Sequence, residues 1–224
     1  MSHHSSPALA PVTSYAELHC ITSFSFLRGA SQPEELVRQS AAHGYRALAI
    51  TDECSVAGVV RAHTAARETG LAIIVGSEFR LTPTSEASPL EEPLHVVLLA
   101  TSRRAYGQLC RLITNCRRRT DKGTYRFLKS DLEDACALDE CLAVWMPPPT
   151  LDEAAEGTGH WLRERFAGRL WIGVALHACG DDRARARALE ALGERLSVPL
   201  TATGDVHMHG HADPQAAGKA LAQP

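Results

Sequence analysis

No run of eighteen or more apolar residues occurs in the 224-residue chain, and Met1 to Val12 shows no basic stretch leading into an apolar one. Membrane-spanning, secreted and lipid-anchored readings are therefore set aside, and a cytoplasmic protein with no membrane partner is expected. Nor is there a C-x-x-C pair. The seven cysteines stand apart, at 20, 54, 110, 116, 136, 141 and 179, so neither a disulfide framework nor a zinc-finger cage is indicated, and reduced, mostly buried thiols are expected. No G-K-[ST] follows the glycines at 76 and 204, which excludes a P-loop and leaves Gly76-Ser77-Glu78 and Gly204-Asp205 to be read as tight turns. Ser23 and Ser25 lack the adjacent His and Asp that would make either a nucleophile, and turn hydrogen bonds account for them better. Internal repeats are absent.

What is present is enough apolar sequence, 45% of residues, for one large domain or two small ones. After an aperiodic leader rich in Ser, His, Pro and Ala, expected to be disordered over residues 1–14, short apolar runs alternate with helical stretches. Strands are predicted at Ala16–His19, Ala47–Thr51, Ala72–Val75, Leu94–Ala100, Leu142–Trp145, Leu170–Leu176 and Leu200–Thr203. Helices are predicted at Pro33–His43 (capped by Ser31 and stopped by Gly44), Val56–Thr69, Arg103–Arg118, from Ser130 (an S-x-x-E cap with Glu133), Asp152–Phe166 and Asp182–Leu196. A polar loop fills Thr82–Pro93. Strand–helix alternation with continuous apolar strands implies an α/β fold in which helices cover a parallel sheet, either open or closed into a small, irregular barrel.

The strand ends carry the chemistry. His19, Asp52, Glu78 and then Asp205 with His207 stand at or just after them, and His95 lies within a strand. In parallel α/β folds the carboxyl ends of the strands share one rim, so these residues are expected to meet there. Imidazole and carboxylate are ligands for zinc, manganese or iron, and a rim lined with both suits metal-assisted hydrolysis of phosphate esters. Asp205 and His207, two apart on what reads as extended chain, are expected to face the same side and grip one ion.

The segments LHCITSFSFLRGAS, GYRALAITDECSVAGVVRAH, IVGSEFRL, HVVLLA and ATGDVHMH, in this order, resemble the polymerase and histidinol phosphatase (PHP) domain at the N-terminus of bacterial C-family DNA polymerases. The wording is most similar to the error-prone branch. The resemblance spans residues 15–209 and implies an irregular parallel β/α barrel of the PHP type. It implies a metal site at His19, Asp52, Glu78, His95, Asp205 and His207, with Glu53 as a further carboxylate able to ligate. The family's complete set is nine ligands around three ions. Here the second histidine of its H-x-H is replaced by Ile21, the histidine after Asp52 by Glu53, and no cysteine stands after Trp145. A partly degenerate site of low occupancy, holding zinc or manganese, is therefore expected, and no residue is assigned as catalytic.

The resemblance further implies a parent DNA-directed DNA polymerase, a nucleotidyltransferase acting in damage-induced mutagenesis and translesion synthesis. Its partners would be primer-template DNA and other replication or repair proteins. The Mg-binding carboxylates of such an enzyme belong to a later domain, so this chain alone is not expected to polymerise. The alternatives are a metal-dependent phosphoesterase of the histidinol phosphatase type and a non-catalytic interaction domain. Residues 210–224 lack the basic lead-on expected by resemblance and read as a truncation or a shifted frame. Finally, Arg103 to Lys129 holds nine basic residues and one acidic, a local charge of +8 in a chain whose net is −3. Arg117, Arg118, Arg119, Lys122 and Arg126, with Tyr125 and Phe127 interleaved, form a nearly unopposed stripe expected to meet a nucleic-acid backbone.

Overall fold

The computed structural model describes residues 15–81, 94–133, 138–178 and 180–210. The expected leader 1–14, the polar loop 82–93 and the tail beyond residue 210 lie outside the described residues.

Seven strands pair in sequential order: β1 (Ala16–Glu17), β2 (Ala47–Ile50), β3 (Ala72–Arg80), β4 (His95–Ala100), β5 (Cys141–Trp145), β6 (Leu170–Val174) and β7 (Leu200–Ala202). Strands β1 to β3 are mutually parallel, as are β5 to β7, but β4 runs antiparallel to both of its neighbours. The sheet is therefore mixed, which corrects the expected parallel one. After β7 the chain returns to the first strand. The Ile21 amide donates to the Val206 carbonyl and the Val206 amide to the His19 carbonyl, each at 2.9 Å, around a parallel bridge between Cys20 and Val206. The result is a nearly closed, irregular β/α barrel, as the resemblance implies.

Among the described residues five α-helices wrap the outside: α1 (Pro33–Ala42), α2 (Val59–Thr69), α3 (Arg103–Arg118), α4 (Glu153–Arg165) and α5 (Asp182–Leu196). Because side chains alternate along a strand, each strand feeds two cores. Val96 and Leu98 of β4 and Ala143 and Trp145 of β5 join the large outer core with Leu109, Leu162 and Leu192 of the helices. Leu48 and Ile50 of β2 pack with Leu36, Val37 and Ala62 of α1 and α2. The opposite parity, Ala49, Ile74, Val97, Leu99 and Val144, fills a small interior cluster. Burial on both faces is why these strands read as continuous apolar runs.

Three local expectations are corrected. Gly76 and Glu78 do not form a turn but lie within β3, where Gly76 pairs with Leu99. A side chain at Gly76 would strike the Leu98 carbonyl and Leu99 of the adjacent strand, so close strand packing, not backbone curvature, calls for glycine there. Helix α1 is capped not by Ser31 but by Gln32, whose amide donates to the Glu35 carboxylate at 2.7 Å. Ser31 instead accepts from the His209 amide at 2.9 Å, tying the closing segment down. The S-x-x-E cap at Ser130 does not form. The turn is a single 3₁₀ segment, Lys129–Leu132, and it is the Asp131 carboxylate that accepts from the Leu128 amide, at 2.9 Å.

Candidate metal centre

Strand parity and the reversal of β4 build the site together. Glu78 shares the interior parity of Ile74, and His95 that of Val97 and Leu99. Because β4 runs backwards, its first residue, His95, stands on the rim where the parallel strands end. His19 follows β1, and Asp205 and His207 follow β7.

Glu78 is the centre. Its Oε2 lies 2.6 Å from His19 Nε2 and 3.3 Å from His95 Nε2, and both Glu78 and His19 are fully buried. Burial opposes ionisation of Glu78, but the hydrogen bonds from His19 and His95 outweigh it and hold the carboxyl well below the usual carboxylate range. His95 itself is pushed below the ordinary imidazole value, chiefly by burial. His19, Glu78 and His95 offer ligand atoms within 4.8 Å of one another. Behind His19, the buried Nδ1 has no hydrogen-bond partner among the described residues and lies 3.4 Å from Asp205 Oδ1. Asp205 is in turn 3.1 Å from His207 Nε2, and despite the opposing effect of burial the His207 bond and the nearby His19 hold it down at about 2. The two meet although Asp205 adopts a φ of 45°, so the extended geometry expected for Asp205-Val206-His207 is not what joins them.

Asp52 is committed elsewhere. Its fully buried carboxylate accepts from the Thr22 amide at 2.8 Å, from the Thr22 hydroxyl and from the Ser25 hydroxyl at 2.8 Å. Burial nonetheless raises its pKa, because these donors are neutral. Glu53 accepts from the Tyr125 hydroxyl at 2.8 Å and pairs with Arg28 Nη1 at 2.8 Å. The same Arg28 nitrogen donates to Glu78 Oε1. Sequence reasoning passed over Arg28; a lone cation in the hydroxyl- and Phe-rich SFSFLRGAS was the available signal.

These contacts test how far the residues fit the metals that the family implies. The His19–Glu78–His95 trio and the unsatisfied His19 Nδ1 facing Asp205 fit one divalent ion. A three-ion cluster does not fit: Asp52 serves as a loop anchor, Ile21 is a buried apolar residue, and Arg28 holds the second oxygen of Glu78. A cleft of about 500 Å³ opens beside the site, with Arg80, His95, His177, Arg185 and Asp205 in its wall.

The basic stripe is less unopposed than its sequence reads. Arg117 donates to the carbonyls of Cys54 at 3.1 Å and Glu53 at 3.0 Å, and lies over the Tyr125 ring. Arg119 grips Asp131 through two bonds of 2.6 Å, and Arg104 pairs with Asp139 and Glu140. Arg118, Lys122 and Arg126 are exposed and form no ion pair among the described residues.

Comparison with known proteins places this geometry. The PHP domain family matches residues 17–146. The error-prone DNA polymerases of Methylococcus capsulatus and Pseudomonas aeruginosa are each 52% identical to the chain, over 195 and 201 residues, or 87% and 90% of it. The chain spans 17–18% of the length of these curated relatives. A protein assigned as a metal-dependent phosphoesterase from Bifidobacterium adolescentis superposes with a TM-score of 0.60 at 18% identity, covering 92% of this chain and 91% of its own. An amidohydrolase from Chromobacterium violaceum follows at 0.58 and 18%, covering 87% and 88%. At that identity the likeness is one of fold.

Two outcomes are expected. Asp52→Ala, which strands the Thr22 and Ser25 donors, should cost roughly 2–4 kcal/mol in urea unfolding of metal-free protein, and Asp52→Asn should cost less. A loss within about 0.5 kcal/mol for Asp52→Ala would show that Asp52 anchors nothing. The second concerns acid. Glu78 and Asp205 have depressed folded-state pKa values, so the stability they contribute is present above the unfolded carboxyl range, about 3.9 to 4.3. It is lost as pH falls through Asp205's value of about 2. Urea midpoints measured from pH 6 downwards should fall steeply below about pH 4, less so in Asp205→Asn; identical slopes would contradict the assignment.

Proposed function

The chain belongs to the PHP domain family, and on that footing we propose that it serves as the PHP domain of an error-prone DNA polymerase. The whole protein would synthesise DNA past damaged template during damage-induced mutagenesis, in the cytoplasm, with primer-template DNA and other replication or repair proteins as partners. Magnesium would be held by its separate polymerase domain. Support comes from the half-identity to error-prone polymerases across 87–90% of the chain. The observation in the structure that carries the reading is the state of the rim: four of its carboxylates already hold protein donors, Asp52 through Thr22 and Ser25, Glu53 through Arg28, Glu78 through His19 and Arg28, and Asp205 through His207. Such a rim suits a structural module better than a hydrolase that must keep ligand positions open.

One divalent ion, zinc or manganese, would be held by His19, Glu78 and His95, with Asp205 and His207 beside it. When bound it would supply charge neutralisation and Lewis acidity. The protein's own groups orient the site: Glu78 fixes both imidazoles, and Asp205 steers His207. A second reading, a phosphoesterase of the histidinol phosphatase type, draws support from the cleft beside His95 and Asp205, where Arg80 and Arg185 bring positive charge. The decisive experiment grafts the chain in place of the matching segment of the Methylococcus capsulatus relative. Primer extension by the chimera at a rate comparable to the parent is expected, with no synthesis and no more than feeble phosphate release by the chain alone. An inactive chimera beside strong manganese-dependent phosphate release, abolished by His95→Ala, would favour the second reading.

Arg118, Lys122 and Arg126 are the positions proposed for DNA-backbone contact, while Arg117 and Arg119 position the surrounding loops. Each of the first three, changed to Ala, should lower the salt slope of DNA binding by roughly 0.7 to 0.9 with little sequence dependence. Arg117→Ala should instead lower thermal stability. An unchanged slope in the triple variant, measured in the chimera across a salt series, would leave these residues as ordinary surface charge.

A further inference from the structure

The loop between His19 and α1 delivers a cation to the carboxylate shared by the two histidines of the candidate site. From Thr22 to Gly29 the chain is tightly folded: the Ser25 amide donates to the Thr22 carbonyl at 2.9 Å, and the Arg28 and Gly29 amides return to the Ser25 carbonyl at 3.0 and 2.9 Å. Leu27 takes the left-handed conformation, with φ of 61°, to make this possible. At Gly29 any side chain would collide with the Thr22 carbonyl. Asp52 fastens both ends of the turn through Thr22 and Ser25, and the Ser25 hydroxyl accepts from the Glu53 amide at 2.9 Å. The loop is thus over-determined, and its product is one placement, the Arg28 guanidinium between Glu78 and Glu53.

That placement divides Glu78 in two. Oε2 takes the histidines, and Oε1 takes a direct bond from Arg28, with the more exposed Arg80 Nε farther off at 3.5 Å. A carboxylate that bridges two metal ions uses both oxygens, and here one is already held by a side chain that does not dissociate. Ile21 and Glu53 complete the pattern. Ile21 is a fully buried hydrocarbon that offers no ligand atom, and Glu53 is an anion that Arg28 pairs.

We propose that Arg28 is the resident cation of this centre, standing where further metal ions would sit, so that the site takes at most one divalent ion and the barrel holds together without it. The proposal rests on the site's geometry and not on the polymerase reading; a failed chimera would leave it untouched.

The test uses the full chain, wild type and Arg28→Gln, stripped with chelator and then dialysed against Mn²⁺ or Zn²⁺, with metal per chain and melting temperature as readouts. Wild type should bind no more than one ion per chain, fold and melt cooperatively when stripped, and gain on metal addition only the few degrees that a single bound ion supplies. Arg28→Gln should melt several degrees lower when stripped, bind additional metal, and recover part of the loss when Mn²⁺ is present. If stripped Arg28→Gln does not fold, refolding with and without Mn²⁺ decides: rescue by the ion supports the substitution of cation for cation, and no rescue by either metal overturns it. Two or more ions in wild type with a melting temperature that drops on chelation would also overturn it, as would an Arg28→Gln protein with unchanged stoichiometry and stability.

Discussion

A single buried negative charge, the Glu78 carboxylate, is the constraint around which the barrel rim is arranged. An ionised carboxylate taken out of water costs several kcal/mol unless donors replace its hydration. Here His19 and His95 supply hydrogen bonds to one oxygen and Arg28 supplies a formal charge to the other. The three donors come from the exit of β1, the start of β4 and the loop before α1. None of these segments is close to β3 in sequence except β4, so the charge is satisfied only when the sheet has curled far enough to bring its first strand opposite its third and fourth. Removing any one donor leaves a partly paired buried charge, which is more damaging than an apolar replacement of the whole group would be.

Closure of the sheet is itself managed by a polar residue. Glu17, almost fully buried at the end of β1, accepts from the Tyr15 hydroxyl at 2.7 Å, from the His19 amide at 2.8 Å and from the Gly204 amide at 2.9 Å. The last bond spans the seam between the first strand and the segment after β7. Together with the backbone pair between Ile21 and Val206 it sets the separation of His19 from Asp205. The seam and the candidate metal centre are thus fixed by neighbouring residues of the same short segment, 17 to 21.

Much of this was legible in the sequence, for reasons that can be stated. The strands were visible because burial on both faces makes them continuously apolar, and α3 because Tyr106, Leu109, Leu112 and Ile113 recur at helical spacing, although of these only Leu109 and Leu112 are buried. His19, Glu78, His95, Asp205 and His207 were legible as a rim because strand ends converge. The direction of β4 was not, since an apolar run looks the same read in either direction; only pairing partners distinguish the two. Gly76 was misread because glycine serves both turns and close strand packing. Asp52 was read as a ligand rather than as a loop anchor, because its partners, Thr22 and Ser25, are hydroxyl residues that sequence alone explains as turn formers. Arg28 escaped notice because a cation gains its meaning from the two carboxylates it meets, and these lie 25 and 50 residues away.

The arginines of α3 show how a charge run can be divided by the fold. At its C-terminal end, Arg117 turns inward and caps the carbonyls of Glu53 and Cys54, while Tyr125, lying under its guanidinium, holds the Glu53 side chain. The segment after β2 is therefore clamped from two sides, by Asp52 and Ser25 toward the centre and by Arg117 and Tyr125 toward the helix. Arg118, next in sequence, points to solvent because successive helical residues are about 100° apart. Arg117 is thus committed to the barrel while Arg111 and Arg118 stay outside. The same basic segment can thereby hold the rim rigid and present positive charge, and the two roles fall on different residues.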